Sequence, residues 1–278
     1  MRYIDLFCGI GSFHQSFDKL GWECVMACDI DASARKTYAY NHGLEPLQDI
    51  RDIYPSTVPP FDIVCAGFPC QPFSQAGHRH GFDDDRGNLF FEIMKLVVHH
   101  RPRVVILENV LGLQSHDGGN TFTRIKQELA DANYTLTFKV LKCSDFGIPQ
   151  MRKRLFIIAV KNEDPLVAHV DKLLDLDQYK TRVSLSQYMN KDFAKETAYT
   201  IRCGGRRSGL NDKHNWDGYL VDGVEYRLTV ADCLKLQGFP DDFKLFGDEW
   251  KLLGNTIPTN FTTLIGQQIA KFTEPEAR

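Results

Sequence analysis

"RYIDLFCGIGSF", Arg2 to Phe13, is the stretch on which the fold turns. Its apolar run up to Phe7 reads as a buried strand, and the run breaks on Gly9 and Gly11. Beyond the break, Phe13, Phe17 and Leu20 recur at helical spacing, with Ser12 placed as a cap and Gly21 as a stop. A strand that passes through glycines into a helix is the start of a βα unit, and the glycines let backbone approach a ligand there.

The same alternation continues outward. "ECVMACD" (Glu23–Asp29), "FDIVCAG" (Phe61–Gly67) and "RVVILEN" (Arg103–Asn109) read as strands. Helices are expected at Ala32–Asn41, Leu89–His100 and Phe122–Ala132. "YTLTFKVL" (Tyr134–Leu141) and "RLFIIAV" (Arg154–Val160) leave no room for a long helix between them, so they add an antiparallel edge. The implied class is α/β: a mostly parallel sheet with helices on both faces. After Val160 the chain turns polar and glycine-bearing up to about residue 225. Order returns with a helix in "LTVADCLKLQGF", ended at Gly238, and a last helix from Asn255 to Phe272 with Pro258 in its first turn. The expected division is 1–160 as the main domain, 161–250 as a small second domain, and 251–278 as a helix returning to the first.

Composition narrows the class. The chain has 278 residues, 43% hydrophobic and 25% charged, which is ordinary globular usage. No apolar window is long enough for a membrane span, and the opening residues lack the pattern of a secretory signal, so a cytoplasmic setting is expected. Eight cysteines contain no CxxC pair, so no metal site is expected, and most of the thiols read as small core residues. A net charge of −3 excludes a surface coated in positive charge but not a local basic groove. Between Lys195 and His214 there are five Lys/Arg against two acids.

Three stretches carry chemistry. In "GFPCQPFS" (Gly67–Ser74), Pro69 and Pro72 stiffen the backbone around Cys70, beyond the carboxyl end of a strand. A free thiol near pKa ~8.5 needs activation and placement to attack, and this frame supplies placement. "LENV" puts Glu108 at another strand end, where a carboxylate without partners would be costly to bury. In "QMRKRLF", Arg152 and Arg154 are two apart and would share one face of a strand. The dinucleotide fingerprint GxGxxG is incomplete, because His14 stands at its last position; Asp29 nevertheless ends the second strand where a ribose-binding acid belongs.

Taken in order, "DLFCGIGS", "GFPCQPFS", "ENV", "QMRKR" and "LLGNTIPTNF" resemble the C5 cytosine DNA methyltransferases. The resemblance runs from Ile4 to about Ile269 and leaves out only about 161–225, where that family keeps its variable target-recognition region. It implies a Rossmann-like methyltransferase sheet, S-adenosyl-L-methionine as cofactor and double-stranded DNA as substrate. By position, Phe7, Gly9 and Gly11 would cradle the cofactor. Asp29 would take its ribose, Ile30 would pack on adenine, and Asp49 and Ile50 would meet the adenine edge. Pro69, Asn255 and Thr256 would complete the pocket. Ser12 stands where the family commonly has glycine, and Thr256-Ile257 is a mild departure from its last motif.

For the chemistry, the resemblance implies Cys70 as the nucleophile on cytosine C6 and Glu108 as the proton donor at N3. Arg152 would orient the base and assist Glu108, and Arg154 would support the pocket. Gln71, Ser74 and Arg86 are expected at DNA, within or beside a polar loop, Gln75–Asn88, that closes over it. Arg202, Arg206 and Arg207 are expected to read the target, with guanine as the base that arginine pairs best. A tRNA-modifying branch shares these motifs but usually reads Pro-Pro-Cys where this chain has Phe68-Pro69-Cys70, which favours DNA. A catalytically silent DNA-binding module is the other alternative. A monomer, with a restriction endonuclease as functional counterpart, completes the expectation.

Overall fold

The computed structural model describes residues 1–69 and 89–273. Cys70, Gln71, Ser74, Arg86 and the Gln75–Asn88 segment lie outside these described residues.

Among the described residues the centre is a sheet of six strands: β1 Arg2–Leu6, β2 Glu23–Cys28, β3 Ile63–Gly67, β4 Val104–Asn109, β5 Tyr134–Lys142 and β6 Lys153–Lys161, in the order β2-β1-β3-β4-β6-β5. The first four run parallel. β6 is antiparallel to both β4 and β5, so the reversed strand lies one in from the edge and β5 runs the same way as β4. β4 is buried along its whole length and is apolar up to Glu108, as a central strand must be. β5, at the edge, carries threonines and lysines on a half-exposed surface.

Side-chain alternation splits the core into two layers. Tyr3, Ile63, Cys65, Val104 and Ile106 face one way; Ile4, Leu6, Val64, Ala66, Val105 and Leu107 face the other. The second layer is covered by α3, Leu89–His100, whose Phe90, Ile93, Met94 and Val97 form the apolar stripe read from sequence, and by α4, Asn120–Asp131, through Phe122, Ile125 and Leu129. The first is covered by α1, Ser12–Phe17, and α8, Thr259–Thr273. There Gly266 packs so closely on Phe17 and Leu20 that a Cβ would press into both rings and methyls.

Two local expectations are corrected. Ser12 is not the cap of the first helix: Gly11, at φ 92°, takes that place, and the Ser12 hydroxyl donates instead to the Ile257 carbonyl at 2.6 Å. The last helix, α8, begins at Thr259 and not at Asn255, with Pro258 immediately before it, and a separate helix, α7 (Glu249–Asn255), precedes it. Between β6 and α7 the chain forms short 3-10 turns, α5 (Leu185–Met189), the hairpin β7–β8 (Gly218–Val221, Val224–Arg227) and α6 (Val230–Leu236). Leu166, Leu173, Trp216 and Tyr219 of this stretch join the same apolar cluster as Tyr3 and Val104.

Candidate active site

The parallel register aligns strand exits along one edge: Leu6 opposite Cys28 and Ala66, and Gly67 opposite Glu108. The strand order reverses between β2-β1 and β3, the place where open α/β sheets bind ligands. A cavity of about 590 Å³ opens there, a size ordinary for a small-molecule site.

One wall comes from the ends of β1 and β2. Phe7 and Gly9 both have positive φ, 54° and 56°, which turns the chain sharply after the strand. The Gly9 N–H donates to Asp29 Oδ2 and the Asp31 N–H to Asp29 Oδ1, each at 2.8 Å. Burial pushes the Asp29 carboxyl up and these two backbone donors oppose the shift. Ile30 lines the cavity with 66% of its surface exposed, an apolar face left open. Asp49 also lines it, gripped by Arg51 through Nε at 2.9 Å and Nη2 at 2.5 Å, and this pairing holds its carboxyl down at about 2. Ile50 is buried beneath.

A second wall carries Glu108 and two arginines. Gly67, Phe68 and Pro69 run along the cavity, and Asn109 Nδ2 fixes the turn by donating to the Phe68 carbonyl at 2.8 Å. Cys70 follows Pro69 in sequence. Glu108 is buried, with Arg154 Nε 2.8 Å from its Oε1. Burial raises the Glu108 carboxyl, and the charges of Arg154 and Arg152 pull against that rise. Arg152 is almost completely buried and donates to the carbonyls of Ile201 at 3.1 Å and Gly254 at 3.0 Å. Burial lowers its guanidinium to about 9, which leaves it charged at neutral pH. Arg154 makes the direct contact with Glu108, whereas Arg152, on the same cavity, ties Ile201 to α7.

The C-terminal wall is α7. Lys251, Gly254 and Asn255 line the cavity, and Thr256 lines a small side cavity shared with Asp5, Gly9 and Glu108. Gly11 lies off both cavities, its open side against His42 and Tyr38. Gly254 sits so close to the backbone of Arg202 and Cys203 that a Cβ cannot fit. Gly254→Ala is expected to lower stability by about 1–3 kcal/mol, read as a fall in Tm.

Of the three arginines expected to read DNA, Arg202 and Arg207 are exposed. Arg206 is not free: its guanidinium lies 3.4 Å over the Trp250 ring, and its Nε is 3.8 Å from buried Asp217. Asp217 also receives the Arg207 N–H at 3.1 Å and Arg227 Nη1 at 3.2 Å. Arg206 thus fastens its own loop to α7. Sequence reasoning passed over Lys251 and Arg51. Lys251 stands four residues before Asn255, a helical spacing that would have placed it on the cavity face once the helix break at 256–258 was known.

Comparison with known proteins completes the picture. The C-5 cytosine-specific DNA methylase family pattern matches residues 1–202. The chain belongs to this family. It is 32% identical over 307 residues to the type II methyltransferase M.HhaI of Haemophilus parahaemolyticus, covering 97% of this chain and 94% of that one. To M.NgoBI of Neisseria gonorrhoeae it is 35% identical, covering 92% and 89%. In fold it resembles the S. pombe Dnmt2 methyltransferase, with TM-score 0.74 at 18% identity over 99% and 100% of the two chains. A putative DNA modification methyltransferase from an E. coli prophage gives TM-score 0.71 at 18% identity over 98% and 99%.

As a C5 cytosine DNA methyltransferase, the chain is an enzyme that uses S-adenosyl-L-methionine and takes DNA as its substrate. The observed cavity fits that cofactor. Asp29 keeps lone pairs free for a ribose, exposed Ile30 offers an apolar face to a purine, and the glycine turn lets backbone come close. No helix among the described residues is long and apolar enough to cross a membrane.

Proposed function

We propose that the chain methylates C5 of a cytosine flipped out of duplex DNA, through a transient bond between Cys70 and C6. The observation that carries this reading is the buried Glu108–Arg154 pair lining one cavity with Pro69, the residue before Cys70 in sequence, and with the cofactor-type acids. A cytosine ring cannot be reached inside a stacked duplex, so it must leave the stack at a cost of a few kcal/mol.

The residues then divide the work. Cys70, which stands between Pro69 and Pro72 in the sequence, adds as thiolate to C6 and pushes electron density towards C5. Glu108 holds a proton at N3, where negative charge develops, and the low-dielectric site strengthens that contact. Arg154 keeps the Glu108 carboxyl turned inward, and Arg152 holds the wall behind it. When the C5 proton is lost, the Cys70–C6 bond breaks and the thiolate is regenerated. The methyl group itself comes from the cofactor's sulfonium. Phe7, Gly9, Asp29, Ile30, Asp49, Ile50, Pro69 and Asn255 line the cavity expected to hold it, with Thr256 in the adjoining one. Arg202 and Arg207, with Gln71, Ser74 and Arg86 from the motif positions, are the proposed DNA contacts.

Residues 1–160 are read as the catalytic domain, 161–250 as the target-recognition domain and 251–278 as the returning helix. The type II names of relatives such as M.HhaI favour an enzyme of a restriction–modification pair, with an endonuclease as functional counterpart, and a cytoplasmic monomer is the form proposed for it. Labelled S-adenosylmethionine incubated with duplex DNA or with tRNA tests the substrate: label is expected in DNA, and label only in tRNA would overturn the assignment.

A further inference from the structure

We propose that Lys251 is a ribose-side contact for the adenosyl cofactor, held in position by Asp31. The idea rests on the cofactor cavity assigned above. Lys251 and Asn255 are four residues apart on α7 and both line that cavity. Lys251 Nζ lies 2.5 Å from Asp31 Oδ2, so the pair spans from α7 to the loop after β2, two facing walls of one space. Asp31 is not free to swing. Its Oδ1 accepts the N–H groups of Ser33 at 2.8 Å and Ala34 at 3.2 Å, capping α2 (Ala32–His42).

The charge of Asp29 also acts on Lys251, which puts the ammonium in the field of the acid that suits a ribose. The hydrogen-bonding inventory is complementary. An ammonium has three donors and Asp31 takes one. Each Asp29 oxygen accepts one backbone N–H and keeps a lone pair. A vicinal diol seated on Asp29 donates to that carboxylate, and its oxygens remain open to the spare donors of Lys251. Stability offers a poor reason for the pair, because the Lys251 side chain is 53% exposed and such ion pairs contribute little.

Calorimetry of the full chain with two ligands tests this. S-adenosylhomocysteine carries the whole cofactor skeleton; 5′-methylthioadenosine keeps adenine and ribose but lacks the amino-acid end. Lys251→Met is expected to weaken both ligands by the same factor, about tenfold, on the scale of a hydrogen bond to a charged group. Lys251→Arg should recover part of the loss. Asp31→Asn keeps a capping residue and should weaken both ligands by less. Unchanged affinity in Lys251→Met, with or without a fall in Tm, would make the pair a structural tie and overturn the proposal. A loss confined to S-adenosylhomocysteine would place Lys251 at the amino-acid end and overturn it too. Should the wild-type chain bind neither ligand, the cofactor cavity itself would be misassigned, a separate failure visible before any variant is made.

Discussion

Cys70→Ser is expected to abolish the covalent complex that the enzyme forms with duplex DNA carrying 5-fluorocytosine at its target. In the proposed route the thiolate adds to C6 and leaves again only after C5 loses its proton. Fluorine at C5 removes that exit, so the adduct accumulates with the wild-type chain and runs as a shifted band on a denaturing gel. Serine keeps the shape of the side chain, but its hydroxyl is a far weaker nucleophile near neutral pH. The loss should be near complete, because the other thiols near the cavity are held differently: exposed Cys203 gives its S–H to Asn255 Oδ1 at 3.0 Å. Cys28, which also lines the cavity, is buried, and its thiol is pushed up to about 12 by burial, with the acid at Asp29 adding to the shift. Cys65 and Cys143 are buried within the core. An adduct that survives Cys70→Ser would refute the nucleophile while leaving the family assignment intact.

Glu108→Gln is expected to slow single-turnover methyl transfer by about 100-fold or more, the usual scale for a positioned acid. Glutamine still fits beside Arg154 and still offers an N–H towards N3, so DNA and cofactor affinity should change little. What is lost is the transferable proton. The pH profile carries a second readout. Burial raises the Glu108 carboxyl in the folded chain, so the proton stays on to higher pH than on an ordinary glutamate. The proton-bound form is therefore favoured by the fold at low pH, and that contribution fades as pH climbs through the raised value. Activity follows the same sign: an alkaline fall should belong to Glu108 and vanish in Glu108→Gln, while the acid limb, set by Cys70, remains. An unchanged single-turnover rate would show that the carboxyl is not needed.

Much of this was readable from sequence because it is written locally. The strand over Arg2–Leu6 and the helix over Leu89–His100 follow from apolar spacing within a few residues of each position. Family motifs brought Glu108, Asp29 and Asn255 to one cavity without knowledge of the strand order. What the sequence did not disclose are matters of distant contact. Arg152 and Arg154 look equivalent in "QMRKRLF"; their difference is set by Gly254 and Ile201, which receive one, and by Glu108, which receives the other. Arg206 looked available for DNA because nothing near it in the chain announces Trp250 and Asp217 as its partners.

The reversed direction of β6 has a consequence for how robust the chemistry is. Glu108 is the penultimate residue of a strand arriving at the edge of strand exits, and Arg154 is the second residue of a strand setting out from it, so the two meet across neighbouring strands and not along one local segment. Their meeting depends on a ladder in which Glu108 faces Phe156. A slip of one residue would send Arg154 to the other side of the sheet and leave a lone carboxylate in an oily pocket. Damage to that zipper should therefore show first as a shifted proton affinity at Glu108, well before the sheet itself comes apart.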